Sequence, residues 1–277
     1  MAFYLKTKFY NCDKIIKKFC FFYFVFSKAE ELRGEKMQVK IVENYEQMSR
    51  EAANIFADVI ADNKKCVIGL ATGDTPIGLY NCMIEDHKSG KIDFSEVRSV
   101  NLDEYYPIAP DNDQSYRYFM NKNLFDNVNI DKKNTYVPDG LAKDPDLFCK
   151  EYEEIIDTLG GIDIQVLGIG RNGHVGFNEP NDALWATTHF TALTESTIKA
   201  NSRFFADEND VPKHAITMGL KSIFKARKIV VLASGEEKAE AVKNMLSGNI
   251  STQCPASLLC LHTDVVVICD KAAYSLV

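Results

Sequence analysis

Short apolar runs alternate with helical patterns along most of this chain. Val39–Val42, Cys66–Leu70, Val97–Leu102, Ile162–Leu167, Ala215–Met218, Lys228–Ala233 and Val265–Cys269 read as strands. Between them, Tyr45–Ala61 carries Met48, Ala52, Ile55, Phe56 and Val59 at helical spacing, and Pro76–His87, Tyr116–Phe125, Pro145–Leu159 and Glu236–Leu246 also read as helices. Strands that are apolar almost throughout are buried on both faces, so helices must cover both sides of the sheet. The expected fold is α/β, a mostly parallel Rossmann-like sheet with helices on both faces. No internal repeat, low-complexity stretch or interdomain linker interrupts 37–277, so one domain is expected there. Ligands of such sheets bind outside the carboxyl ends of the strands.

The first 36 residues read differently. Lys14–Lys18 is basic, and Phe19–Phe26 is an unbroken apolar run dominated by aromatics. The run is far too short to span a bilayer. It is at the short end for a signal peptide, and no small-x-small cleavage site follows it. Arg33-Gly-Glu-Lys36, encoded by purine-rich codons, precedes Met37 as a translated ribosome-binding site would. The natural start is therefore expected at Met37, with 1–36 an upstream in-frame extension.

The net charge of −7 argues against nonspecific nucleic-acid binding, which needs a basic face, but leaves room for a small anionic substrate held by local cations. None of the eight cysteines forms a Cys-x-x-Cys pair or has a histidine at zinc-ligand spacing. Most lie in apolar strand or helix patterns, as reduced buried thiols of a cytosolic protein do.

Three glycine-rich or acidic segments follow apolar strands. Gly69-Leu-Ala-Thr-Gly-Asp-Thr-Pro76-Ile-Gly78 runs from a strand into a helix. Pro76 suits the first helical position and Thr75 the N-cap. The loop around Thr72, Gly73 and Thr75 suits a phosphate, through backbone N–H groups and the helix dipole. The same sequence serves equally as a capped turn without ligand. Asp74 is expected to point away. In Asn101-Leu-Asp-Glu-Tyr105, adjacent carboxylates at a strand end point to opposite sides. One can serve as a general base, or both can be solvated loop acids. In Gly168-Ile-Gly-Arg-Asn-Gly-His-Val-Gly-Phe-Asn-Glu-Pro180, His174 exchanges protons near neutral pH, and Glu179 is placed to orient it. Arg203 and Lys238 are candidate phosphate cations, a fork and a point charge, though each alone reads as a surface cation.

Together these segments, with Ala200-Asn-Ser-Arg-Phe-Phe205 and Ser234-Gly-Glu-Glu-Lys238, resemble the glucosamine-6-phosphate deaminase family from about Met37 to Cys269. The resemblance implies a cytoplasmic enzyme of amino-sugar catabolism. It would convert glucosamine 6-phosphate to fructose 6-phosphate and ammonia, without metal or organic cofactor. It implies that Asp103 moves a proton from C2 toward C1, that His174 held by Glu179 assists ring opening, and that Asn172 belongs to the same group. Thr72, Gly73, Thr75, Arg203 and Lys238 would hold the phosphate. Leu193–Ile216, with polar Asp207–Asp210 at its centre, resembles a mobile lid.

Two departures stand out. Some family members carry Asp where this chain has Asn172; with Asn, a protonated His174 has one carboxylate fewer than in an N172D variant. Allosteric hexameric members carry basic residues shortly after the Phe-Asn-Glu-Pro motif, where this chain has His189 and Thr191. Strong activation by N-acetylglucosamine 6-phosphate is therefore not expected. A monomer or small homo-oligomer is, with no nucleic-acid or membrane partner. The rival readings are a 6-phosphogluconolactonase, a deaminase of another amino-sugar phosphate, and a noncatalytic sugar-phosphate sensor. The Asp-Glu-Tyr and Phe-Asn-Glu-Pro segments count against a lactonase.

Overall fold

Ten strands and seven α-helices follow one another along the described residues. The strands are β1 (Gln38–Val42), β2 (Val67–Leu70), β3 (Arg98–Asn101), β4 (Asp103–Tyr106), β5 (Thr135–Tyr136), β6 (Ile164–Gly168), β7 (His189–Ala192), β8 (His214–Thr217), β9 (Lys228–Ala233) and β10 (Val265–Asp270). The helices are α1 (Tyr45–Asp62), α2 (Ile77–Lys88), α3 (Tyr116–Asn123), α4 (Pro145–Thr158), α5 (Glu195–Asn201), α6 (Leu220–Phe224) and α7 (Ala239–Leu246). This computed structural model describes residues 37–205, 207 and 210–277. The expected extension 1–36 lies outside the described residues, as do Ala206, Glu208 and Asn209 of the expected lid.

Seven strands make one parallel sheet in the order β1-β10-β9-β6-β2-β3-β5. Its central strands are buried over most of their length: Val67, Ile68, Leu70 and Val230–Ala233 are at most 1% exposed, as a sheet covered on both faces requires. Each fully buried Ile, Leu or Val contributes about 1.5–3 kcal/mol to that core. The helices start where the sequence supplies caps. Asn44 accepts the Gln47 N–H at the head of α1, Ser115 the Tyr118 N–H at α3, and Asp144 the Leu147 N–H at α4, where Pro145 follows.

The strand order fixes where a ligand binds. From β2 the chain works outward through β3 to β5, and from β6 it works the opposite way through β9 to β10. Right-handed crossovers running in opposite directions place their helices on opposite faces. The crevice between the carboxyl ends of β2 and β6 is the switch point.

Three expectations are corrected. The strand expected at Ala215–Met218 is His214–Thr217, and it joins a second, antiparallel sheet in the order β4-β8-β7. The run expected at Val97–Leu102 ends at Asn101, and Leu102 is the hinge between sheets. Its N–H donates to Leu70 O at 3.0 Å, and its carbonyl accepts from Met218 N at 2.8 Å. Asp103 is thus the first residue of the small sheet and sits beside the crevice of the large one. Helix α2 begins at Ile77, with Pro76 at the cap position and no side-chain cap from Thr75. The Tyr45 hydroxyl takes that role by accepting the Gly78 N–H at 2.7 Å. Among the described cysteines, Cys66, Cys149, Cys254 and Cys269 are buried thiols, whereas Cys260 is exposed.

Candidate active site

The loop after β2 is held by two phenols. Tyr80, fully buried on α2, donates to Ala71 O at 2.5 Å and accepts from Ala71 N at 3.2 Å. Tyr45, the first residue of α1, places its hydroxyl 3.0 Å from Asp74 O and 3.1 Å from Thr75 O. The backbone N–H groups of Thr72, Gly73, Asp74 and Thr75 have no acceptor among the described residues. Gly73 has φ +92°, a left-handed conformation that side-chain-bearing residues rarely adopt. Asp74 does not simply point away: its carboxylate pairs with Arg203 at 2.8 Å, both side chains well exposed.

Asp103 and Glu104 point to opposite sides of β4, as strand alternation demands. Glu104 caps α3. It accepts the N–H groups of Tyr105 (2.9 Å), Tyr116 (2.8 Å) and Arg117 (2.9 Å). Asp103 is 6% exposed, and its carboxyl has no hydrogen bond or ion pair from the described residues. Burial pushes its carboxyl up to about 8, and the Glu104 charge adds to the rise. Burial raises Glu104 too, but its three N–H donors favour the ionised form. The three donors to Glu104, which the Asp103 carboxyl lacks, make Glu104 the easier of the two to ionise.

The loop after β6 folds back against Asp103. A Cβ on Gly176, which has φ +57°, would lie 3.2 Å from Asp103 Oδ2 and 3.0 Å from Thr217 Oγ1. Thr217 is the cross-strand partner of Asp103 and accepts the Phe177 N–H at 3.2 Å. Gly170 leaves room for the imidazole, since a Cβ there would meet His174 ring atoms at 2.3–2.5 Å. His174 Nδ1 lies 3.2 Å from Glu179 Oε2, within ion-pair range but not aligned as a hydrogen bond. Asn172 donates from Nδ2 to the same Glu179 oxygen at 2.8 Å and accepts the His174 N–H at 3.2 Å. Asn172 thus ties the histidine's backbone to the carboxylate that faces its ring. Thr197 of α5 donates to Glu179 Oε1 at 2.5 Å. Burial works to raise Glu179, but contacts with His174, Thr197 and Asn172 outweigh it and hold the carboxyl at about 2.

Cations gather beside this loop. Lys238 Nζ donates to Ile169 O, at the end of β6, at 2.9 Å. Burial lowers the Lys238 pKa; the Glu237 charge opposes the shift, and the charges of Arg171 and Arg203 add to it. Asp270 shapes the turn that delivers Lys238. It accepts from Ser234 Oγ at 2.6 Å and Gly235 N at 3.1 Å, where Gly235 takes φ +94°.

The structure therefore brings Asp103 against the loop bearing Asn172, His174 and Glu179. It joins Arg203 to the Thr72–Thr75 loop through Asp74 and sets Lys238 at the end of β6. Thr72 and Thr75 make no side-chain hydrogen bond to a described residue. Sequence reasoning missed Tyr45, Tyr80, Thr197, Thr217, Asp270 and Arg171. Only Asp270, an acid closing an apolar strand, and Arg171, inside the glycine-rich loop, carried a local signal.

Residues 42–268 match the family of glucosamine-6-phosphate isomerases and 6-phosphogluconolactonases. The glucosamine-6-phosphate deaminase of Clostridium perfringens strain 13 is 54% identical over 240 residues, 87% of this chain and 99% of that protein. The corresponding deaminase of Thermoanaerobacter pseudethanolicus is 53% identical over 241 residues, 87% of this chain and 95% of that protein. The solved structure of a monomeric glucosamine-6-phosphate deaminase is 44% identical, with a TM-score of 0.85 over 87% of this chain and all of that one. A 6-phosphogluconolactonase from Trypanosoma cruzi shares the fold alone, at 19% identity and a TM-score of 0.71 over 87% of this chain and 96% of that one. The chain belongs to the glucosamine-6-phosphate isomerase/6-phosphogluconolactonase family.

Proposed function

We propose that the protein hydrolytically deaminates and isomerises glucosamine 6-phosphate, giving fructose 6-phosphate and ammonia. One observation carries the mechanism: a shielded Asp103 carboxyl faces the loop that holds His174 against Glu179. His174 assists opening of the pyranose by moving a proton between the ring oxygen and the C1 hydroxyl. Glu179 stabilises the imidazolium formed on the way, and Asn172 holds Glu179 in register. Asp103 then takes the C2 proton of the open aldehyde and returns it at C1 through an enol-type intermediate, while O1 takes up the proton that the C2 ammonium gives up. The C2 iminium left behind takes up water and releases ammonia, leaving the C2 ketone. Asp103 must be ionised for this step. A substrate ammonium beside it favours the ionised form, so binding and activation are coupled. The amides of Thr72, Gly73 and Thr75, with Arg203 and Lys238, hold the phosphate.

The enzyme works as a cytoplasmic monomer or small homo-oligomer, a reading supported by the monomeric relative. Among the described residues no helix is long and apolar enough to cross a membrane. Allosteric activation by a second sugar phosphate is weak or absent. His189 is 8% exposed, with Nδ1 at Thr187 O, and burial lowers its pKa, so it offers no phosphate cation. Ammonia release from purified protein tests the reading, with glucosamine 6-phosphate and galactosamine 6-phosphate compared. Release from the galactosamine ester alone overturns the substrate, and release from neither overturns the activity.

A further inference from the structure

We propose that Tyr45 is a positioning residue for phosphate binding. Its phenol holds the β2–α2 loop in the shape that leaves the loop's backbone amides free and aimed for the substrate. The proposal rests on the reading of Thr72–Thr75 as the phosphate loop.

Tyr45 is remote in sequence, yet its hydroxyl meets three backbone groups of the loop and of α2. The oxygen accepts the Gly78 N–H at 2.7 Å and lies within donating reach of Asp74 O (3.0 Å) and Thr75 O (3.1 Å). In a trans peptide the C=O and the following N–H point in opposite directions. Drawing the Asp74 carbonyl toward Tyr45 therefore turns the Thr75 N–H away from it. The first N–H groups of a helix have no partner within the helix. At α2 the Gly78 N–H is spent on the phenol, Pro76 has none, and the Ile77 N–H reaches Asp74 O at 3.3 Å. The donors left for an anion are those of the loop itself. Close approach makes the reach possible. A Cβ on Gly78 would lie 2.8 Å from Tyr45 Cε1 and 2.2 Å from Ser49 Oγ. Tyr80 clamps Ala71 at the other end, so the stretch between is the part whose peptide orientation depends on Tyr45.

The test is Y45F, which keeps the ring and removes only the hydroxyl. KM for glucosamine 6-phosphate should rise about fivefold, the worth of one net hydrogen bond, with kcat within about twofold of wild type. Inorganic phosphate should inhibit the variant about fivefold less well. In an amide NMR titration with inorganic phosphate, the Thr72–Thr75 resonances should shift in both proteins, with the Y45F midpoint about fivefold higher. A merely structural phenol would lower Tm and leave these constants alone. If Y45F titrates at the wild-type midpoint, or loses kcat with KM unchanged, the role of Tyr45 is overturned and the loop assignment stands. If the wild-type loop amides do not respond to phosphate, the loop assignment falls and the role of Tyr45 falls with it.

Discussion

Replacing Asp103 by Asn should stabilise the protein while nearly abolishing turnover. The carboxyl has an ordinary pKa of 3.8 and is pushed up to about 8 by burial. Between those values the unfolded chain releases a proton that the folded chain keeps. The stability this group contributes is thus fully present below 3.8 and is lost as pH rises, until the loss levels off above about 8. From pH 5 to pH 8 the lost stability amounts to at most about 4 kcal/mol. Asparagine has the size of the protonated acid and does not titrate. Relative to wild type, D103N should therefore gain stability between pH 5 and pH 8. If relaxation around the site halves the effect, about 2 kcal/mol remains, or roughly 4–8 °C in Tm for a domain of this size. Thermal or urea unfolding of both proteins at the two pH values measures it. The same variant should lose about 100- to 10,000-fold in kcat, the worth of a positioned general base. A stability difference equal at pH 5 and pH 8, or a variant less stable at pH 8, refutes the burial argument. Activity above about a tenth of wild type refutes the role as base.

Three further outcomes are expected. G170A places a methyl group in the His174 ring; overpacking of this kind costs about 1–3 kcal/mol, so kcat should fall more than KM changes, and wild-type kcat would show that the ring position is immaterial. K238A should raise KM for glucosamine 6-phosphate by about tenfold or more, the loss of a charge-assisted contact, while inhibition by inorganic phosphate weakens in parallel; an unchanged phosphate inhibition constant removes Lys238 from the phosphate grip. N-terminal sequencing of the native protein should give Met37 as the first residue, and a mature start near Met1 overturns the expected start site.

The parallel sheet was legible because its strands are apolar on both faces. Val67–Leu70, Ile164–Leu167 and Val265–Cys269 leave no alternation that would fit a half-exposed sheet. The second sheet was not legible. Asp103–Tyr106 opens with two carboxylates, and both find buried places only through distant partners: Glu104 at the head of α3, Asp103 between Gly176 and Thr217. A strand stabilised by contacts from elsewhere in the chain has no local pattern to read. The motifs announced Asp103, His174 and Glu179 by residue type and loop position. The residues that aim them stayed silent. Thr197 and Thr217 are ordinary threonines, and Tyr45 looks like any amphipathic residue opening a helix. Their roles arise when α5, β8 and α1 are brought beside the crevice.

The proposed phosphate site has to accommodate the Asp74–Arg203 pair in an acidic chain. A carboxylate on a phosphate loop looks unfavourable, and Arg203 pairs with it in the structure. Side chains 65% and 63% exposed form a pair worth at most about 1 kcal/mol. A sugar phosphate offers the same guanidinium a stronger, forked acceptor. In the proposed site it would also meet Lys238, whose pKa is lowered by burial and by Arg171 and Arg203 against the opposing charge of Glu237. A group in which desolvation and like charge both disfavour the cation gains more than an exposed lysine when an anion arrives. In the proposed phosphate site, an arriving anion would therefore offset the desolvation and the arginine charges that outweigh Glu237 at Lys238, and giving up the Asp74 contact would subtract little from that gain.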